Sequence, residues 1–259
     1  MKLIFYKYQG TGNDFVMIDN RTNVFDKTNL KLVQHFCDRK FGIGADGLIL
    51  IENIADLDFN MVYFNADGSQ SFCGNGSRCA VSFAKYLGII QSQAMFLSTD
   101  GEHEAWINQN GEVSLKMHDV EKIEKEETHY FINTGSPHYI VNVDDVDDVN
   151  VFEEGKKIRY NDRFKQEGTN VNFVNYKSDC IDIRTYERGV EDETLSCGTG
   201  VTAAALSWAD RHSSPAGKIQ VNTKGGTLQV AFKRTDTRGF NDIWLIGPAK
   251  MVFKGEIEI

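Results

Sequence analysis

A chain of 259 residues, 41% hydrophobic and 25% charged, has the composition of a soluble globular protein. It is long enough for one large domain or two of about 130 residues, each with its own core. A net charge of −9 argues against a general nucleic-acid or anionic-membrane binder, and no stretch approaches the ~20 apolar residues of a membrane span. The opening MKLIFYKYQG is too short an apolar run for a signal peptide. The expected compartment is therefore a reducing cytoplasm.

In chain order, an alternating strand enters a glycine-rich turn over Tyr6 to Ile18, and LILIEN from Leu48 has strand length. MVYFNADG reads as a strand running into a turn. Cys73 then opens CGNGSRCAVSFA, with a helix expected over Ser77 to Leu87 and Gly88 as its stop. MFLSTDGEHEAWI supplies late strands, and the polar stretch DVEKIEKEETHY, residues 119 to 130, marks a boundary. The plan then recurs. His129 to Val143 repeats the strand and turn, VNFVNY from Val171 the apolar strand, and IDIRTYERG the strand-to-turn segment. Cys197 opens CGTGVTAAALSWA, with a helix over Val201 to Arg211, and KIQVNTKGGTLQVAF closes the half. The last strand, MVFKGEIEI, has no counterpart in the second repeat and is expected to return to the first domain.

The recurrence is collinear. Cys-Gly-x-Gly recurs at an offset of 124 (197 − 73), as do the segments opened by Gly44 and Gly168 (168 − 44); Thr11-Gly12 and Thr134-Gly135 differ by 123 (134 − 11). The expected fold is α+β: two pseudo-symmetric domains from a tandem duplication, each a sheet wrapped around a central helix. The expected domains are residues 1–118 with 249–259, and residues 119–248.

Five cysteines, without a CxxC pair, suit neither a disulfide framework nor a zinc ribbon. Cys37 and Cys180 sit in apolar or mixed segments and read as packing residues. Cys73 and Cys197 each stand at an expected helix start. There, backbone N–H groups lack partners and carry positive partial charge. They make a cysteine more readily thiolate and can hold a carboxylate, while flanking glycines let backbone approach a ligand. If the two halves face each other, a sulfur stands on either face of one α-carbon. One thiolate then removes a proton and the opposite thiol returns one, which inverts the stereocentre. Donors aimed at the carboxylate stabilise the carbanion where water is excluded. No glycine-rich phosphate loop precedes a lysine to suggest pyridoxal phosphate. Packing alone is the competing account of Cys-Gly-x-Gly, and two matched copies weigh against it.

At GTGNDF, GIGADGL, FNADGS, CGNGSRC, GSPH, YERG and SCGTG, in that order across nearly the whole chain, the sequence resembles the diaminopimelate epimerase family. The resemblance implies Cys73 and Cys197 as the acid/base pair. It implies Asn13, Asn65, Asn170, Glu187 and Arg188 as substrate-binding residues, with backbone at Gly74, Asn75, Gly198 and Thr199 for the reacting carboxylate. It implies His138 and Glu187 as residues tuning the thiols, a small amino-acid substrate, a homodimer, and no cofactor or metal. The chemistry agrees: Arg188 suits a distal carboxylate, and the asparagines with Glu187 suit an ammonium. Taken alone, Glu187 and Arg188 read as a solvated turn, His138 as a packed or surface histidine, and Asn13 and Asn65 as turn residues.

Two positions depart from the pattern. Ser136 stands where many members carry Asn, and Gly47 where some carry a Gln that reaches the distal head. Three alternatives stay open: a proline or hydroxyproline racemase, a related isomerase using another acid, and a non-enzymatic binding or redox protein.

Overall fold

The computed structural model describes residues 2–237 and 239–258 and divides into two compact units, Met1–Leu115 with Gly247–Ile259, and Lys116–Ile246. In chain order the first unit runs β1 (Lys2–Gly10), β2 (Asn13–Asp19), α1 (Leu30–Cys37), β3 (Gly47–Glu52), β4 (Phe59–Asn65), α2 (Gly74–Tyr86), β5 (Gln93–Ser98), β6 (Gly101–Ile107) and β7 (Glu112–Lys116). The second runs β8 (Glu124–Lys125), β9 (His129–Asn133), β10 (Pro137–Asn142), α3 (Val151–Arg159), β11 (Asn170–Tyr176), β12 (Cys180–Glu187), β13 (Asp192–Thr194), α4 (Gly198–Arg211), β14 (Ala216–Thr223), β15 (Gly226–Arg234) and β16 (Phe240–Pro248). The final strand, β17 (Lys250–Glu258), pairs antiparallel with β1.

The two units share one pairing scheme. In the first, β1–β2 is antiparallel, β2–β3 parallel, β3–β4 antiparallel, β4–β5 parallel and β5–β6 antiparallel. In the second, β9–β10, β10–β11, β11–β12, β12–β14 and β14–β15 repeat that alternation. Parallel neighbours need a crossover. Each unit uses two helical ones: α1 and α2 in the first, α3 and α4 in the second.

The two crossovers lie on opposite faces of their sheet. Along β3, alternate residues Leu48 and Leu50 join Val33 and Phe36 of α1 in one core, while Ile49 points toward Gly76 at the start of α2. Along β11, Val171 and Phe173 pack with Val151 of α3 and Tyr186, which leaves Asn172 for the α4 face. The period of two along a strand makes this division. The sheet curls around the other helix: α2 contacts β1, β2, β3, β4, β6 and β17, and α4 contacts β9, β10, β11, β12, β14 and β15.

A helix wrapped in this way must be apolar or small on all sides. Ala80, Val81, Phe83 and Ala84 of α2 are buried, as are Val201, Ala203, Ala204, Ala205, Leu206 and Ala209 of α4. Each unit is thus a sheet wrapped around a central helix. Both helices start three residues earlier than the expected Ser77 and Val201. Glycine disfavours a helix interior, but the first turn tolerates it, so the Gly-x-Gly that follows each cysteine is already helical. Gly88, at φ 73°, follows the end of α2. The outer helices α1 and α3 are absent from the sequence-based expectation; both are short, and α3 carries Gly155 within it. No helix of the described residues is long and apolar enough to cross a membrane.

Gly155 permits a close approach of α3 to β12, since a Cβ there would lie 2.4 Å from the Tyr186 Cβ. Replacing Gly by Ala within a helix ordinarily gains about 0.5–1 kcal/mol, whereas overpacking costs about 1–3 kcal/mol. Gly155→Ala is therefore expected to destabilise the protein by about 1–2 kcal/mol, read as a lower Tm. An unchanged or higher Tm would mean that α3 can move off β12 at no cost.

Candidate active site

Both singled-out cysteines are helix N-caps in extended conformation, Cys73 for α2 (φ −138°, ψ 107°) and Cys197 for α4 (φ −116°, ψ 112°). The first helical bonds are Ser77 N–H to Cys73 O and Val201 N–H to Cys197 O. The N–H groups of Gly74 and Asn75, and of Gly198 and Thr199, precede those bonds and lie at the positive end of the helix dipole. The other three cysteines differ. Burial pushes the thiols of Cys37 and Cys79 up to about 12 and raises that of half-buried Cys180, so these stay protonated at neutral pH.

Around Cys73 the first unit gathers two of the expected residues, Asn13 and Asn75. The Gly76 N–H lies 3.4 Å from the sulfur. The thiol lies 3.6 Å from Asn13 Oδ1, and Asn75 Nδ2 donates to the same oxygen over 3.5 Å. Asn13 Nδ2 donates to Asp46 over 2.6 Å, which fixes the amide's orientation. Asp46 in turn accepts from Arg39, as does Asp14. Lys7 also pairs with Asp14 and donates to Gly44 O. Burial pushes the Asp14 carboxyl up, but Arg39 and Lys7 outweigh it and hold the group at about 2. A charged lattice therefore sets the position of Asn13.

Asn65, at the end of β4, donates to Ser69 and Ser71 and accepts from the Tyr63 hydroxyl over 2.9 Å. Tyr63 also explains Gly47: a Cβ there would lie 2.5 Å from the Tyr63 ring and 3.0 Å from its hydroxyl. A longer side chain at 47 would displace the ring that orients Asn65.

The surroundings of Cys197 are different. Cys197 is buried, and its sulfur lies 3.5 Å from Thr199 Oγ1. His138 Nε2 lies 2.9 Å from that hydroxyl, and Asn172 Nδ2 lies 3.1 Å from His138 Nδ1. The Asn172 amide is oriented by Thr185 donating to its Oδ1 and by the Tyr139 carbonyl accepting from its Nδ2. Nδ1 of His138 is then an acceptor, and Nε2 carries the proton and donates to Thr199. The Thr199 hydroxyl proton is left to point at the Cys197 sulfur, which favours thiolate over thiol. Burial, helped by the positive charge of Arg188, pushes His138 down to about 3, so the ring is neutral. Gly200 makes room for this relay, since a Cβ there would lie 2.6 Å from Asn172 Oδ1 and 3.3 Å from the His138 ring.

The remaining expected residues cluster at the turn after β12. Arg188 N–H donates to Asn170 Oδ1, and Asn170 Nδ2 donates to Ser136 Oγ and Pro137 O. Asn170 is thus engaged with the β9–β10 turn and with Arg188, which is exposed and donates to Glu167 O. Glu187 accepts from Thr194 over 2.7 Å, on the short strand leading to Cys197. Among the described residues no group of three His, Cys, Asp or Glu side chains is placed to hold a metal ion.

Several supporting residues are absent from the sequence-based expectation: Asp46, Tyr63, Arg78 and Asn172. Two left a signal. Asn172 lies at an inward position of an apolar strand, and Arg78 interrupts an otherwise small and apolar helix.

Two units of one plan, each with a cysteine-capped central helix, define a class of two-domain α/β proteins. The phenazine biosynthesis protein of the PhzF family from Bacillus anthracis shares this fold, with a TM-score of 0.77 over 100% of both chains and 12% identity. Sequence gives the narrower placement. The diaminopimelate epimerase family model matches residues 5–123 and 130–252. The diaminopimelate epimerase of Flavobacterium psychrophilum is 52% identical over 99% of this chain and 100% of its own. That of Chlorobaculum tepidum is 41% identical over 96% and 99%. The chain belongs to the diaminopimelate epimerase family.

Two measurements test the Cys197 relay. Thr199→Val should slow alkylation of Cys197 at pH 7 severalfold, and Thr199→Ser should not; equal rates in both would remove the hydroxyl from the relay. The second measurement concerns stability. An unfolded histidine takes up its proton near pH 6.5, whereas folded His138 does so at about 3. Between those values the unfolded state binds the extra proton, so this contribution makes stability fall as pH falls, by about 1.4 kcal/mol per unit. Gln at 138 can accept from Asn172 and donate to Thr199. Urea unfolding of His138→Gln between pH 6 and 4.5 should therefore lack that component of the slope, and a slope equal to that of the parent would place the proton elsewhere.

Proposed function

We propose that this chain interconverts LL- and meso-diaminopimelate by two-cysteine proton transfer at one α-carbon, without cofactor or metal. The observation that carries the reading is the repeated constellation: a cysteine N-cap beside early helical N–H groups, once in each unit, in a chain that matches the family along nearly its whole length. One cysteine removes the α-proton as thiolate while the other, as thiol, protonates the opposite face. The carbanion's charge spreads into the α-carboxylate, which the N–H groups of Gly74, Asn75, Gly198 and Thr199 would bind. Arg188 would take the distal carboxylate, and Asn13, Asn65, Asn170 and Glu187 would complete recognition of the substrate. His138, through Thr199, and Glu187 would tune the thiols. Asn170 would serve recognition of the substrate by holding Arg188 in place, since its side chain is already bonded on both ends.

The reaction belongs to lysine and peptidoglycan-precursor biosynthesis, and we place it in the cytoplasm. We also propose a homodimer. Ile4, Met251, Val252 and Phe253, all on the paired strands β1 and β17, are exposed apolar residues of the kind that association covers. The domains proposed are residues 1–118 with 249–259, and 119–248.

The experiment is conversion in heavy water, with protein dialysed against chelator and free of bound chromophore. LL substrate should give early meso product labelled at the inverted carbon, while remaining LL substrate stays mostly unlabelled. Original proton retained in the product would indicate a single base, and a requirement for pyridoxal phosphate or metal would end the cofactor-free reading. L-proline offered in parallel should not turn over. Cys73→Ala and Cys197→Ala should each lower the rate by at least about 10²-fold, the lower end of general acid–base contributions. A loss of only a few-fold in either variant would remove that cysteine from the acid/base pair.

A further inference from the structure

Arg78 is a charge without a carboxylate. It lies in the second turn of α2 with 0% of its surface exposed. Its guanidinium makes two hydrogen bonds, both to neutral groups: Nη1 to Asn75 Oδ1 at 3.0 Å and Nη2 to Thr11 Oγ1 at 3.0 Å. Its Nε has no partner, and no Asp or Glu pairs with it among the described residues. Gly10 lets β1 lie close to this turn of α2, since a Cβ there would lie 3.1 Å from Asn75 O and 3.3 Å from Cys79 Sγ. A guanidinium does not give up its proton in proteins, and a buried charge persists where an opposite charge offsets its lost hydration.

The negative groups available to it are few. Cys73 and Cys79 are the titratable groups that interact with Arg78. Burial pushes Cys79 up to about 12, so it stays a neutral thiol. On the strands packed against α2, Lys7 of β1 and Asp14 of β2 pair with each other. Burial raises the Tyr8 phenol of β1, and Tyr6 packs its ring on Phe83 and Tyr86, toward the far end of the helix. Glu52 of β3 pairs with Lys27. Tyr63 of β4 is bonded to Asn65, His103 of β6 is paired with Asp100, and the lysines and glutamates of β17 are exposed. Cys73 remains. It is joined to Arg78 through two amides: Asn75 accepts from Arg78 and donates to Asn13, and the neutral Cys73 thiol donates to that Asn13 oxygen at 3.6 Å; once the proton leaves, the sulfur accepts from the Gly76 N–H at 3.4 Å.

We propose that Arg78 is the buried counter-charge of the Cys73 thiolate and thereby a positioning residue for proton transfer. In the resting protein the Cys73 thiol loses its proton to solvent while Arg78 stays protonated, so the buried pair becomes neutral overall. Around Cys197 the groups described above are a hydroxyl and a neutral ring. The inference rests on Cys73 being an acid/base residue, but its test does not use turnover.

The test is peptide-resolved alkylation of Cys73 by iodoacetamide across pH 5 to 10, on the intact protein without substrate. Loss of charge in Arg78→Met should raise the alkylation midpoint of Cys73 by at least one pH unit, which is about tenfold fewer thiolates below the midpoint. Arg78→Lys retains the charge without the planar fork and should leave the midpoint within a few tenths of a unit. The Cys197 midpoint should not move in either. An unchanged Cys73 midpoint in folded Arg78→Met overturns the proposal. If circular dichroism shows that variant unfolded, Arg78→Lys decides: a rise of one unit or more there means that the hydrogen bonds matter and the charge does not. A Cys73→Ala protein that still epimerises would instead refute the catalytic role of Cys73, whatever the midpoints show.

Discussion

A helix start can act on a ligand only if its first N–H groups point at the ligand and its body is held still. Here both central helices are held by a sheet curled around them. That requirement dictates the composition of α2 and α4, because a helix enclosed on all sides has no room for long side chains except where one is built in. It also dictates the sheet. Crossovers through the middle and over the outside leave parallel neighbours at β2–β3 and β4–β5, and at β10–β11 and β12–β14. The cysteine sits where β-conformation turns into helix, so its side chain and the following N–H groups face the same way.

The duplicated scaffold does not carry duplicated surroundings. The Cys73 side receives a backbone N–H from Gly76, an amide pinned by the Lys7–Asp14–Arg39–Asp46 lattice, and the buried cation of Arg78. The Cys197 side lacks a side-chain capping bond and depends on Thr199, a neutral His138 and Asn172. Fixed charges stand around one cysteine's neighbours, and an oriented neutral network around the other's.

Glycine and asparagine positions that look like turn chemistry turn out to serve contacts. Gly200 admits Asn172 and His138, Gly10 admits the Asn75 carbonyl, and Gly47 admits Tyr63. Asn13, Asn65 and Asn170 each have amide atoms bonded to protein partners. Side chains held in this way lose little freedom on meeting a ligand, which is how preorganisation raises affinity and rate.

By itself the sequence determined the duplication, the succession of strand segments along each half, the two cysteine-led helices and the family. These depend on local pattern: alternation marks strands, small residues mark an enclosed helix, and collinear motifs are visible without coordinates. It did not reveal α1 and α3, whose eight and nine residues are stabilised by packing on the outer sheet face more than by their own propensity. Nor did it reveal Asn172 and Arg78, which bond the side chains next to the sulfurs. Asn172 reaches His138 because β10 and β11 lie in parallel register, with His138 opposite Asn170 and Ile140 opposite Asn172. Arg78 meets Thr11 across 67 positions of chain. Such contacts follow from register and from helix rotation within the sheet, and these are set by the packing of the whole unit. The chain order of the residues concerned does not contain them.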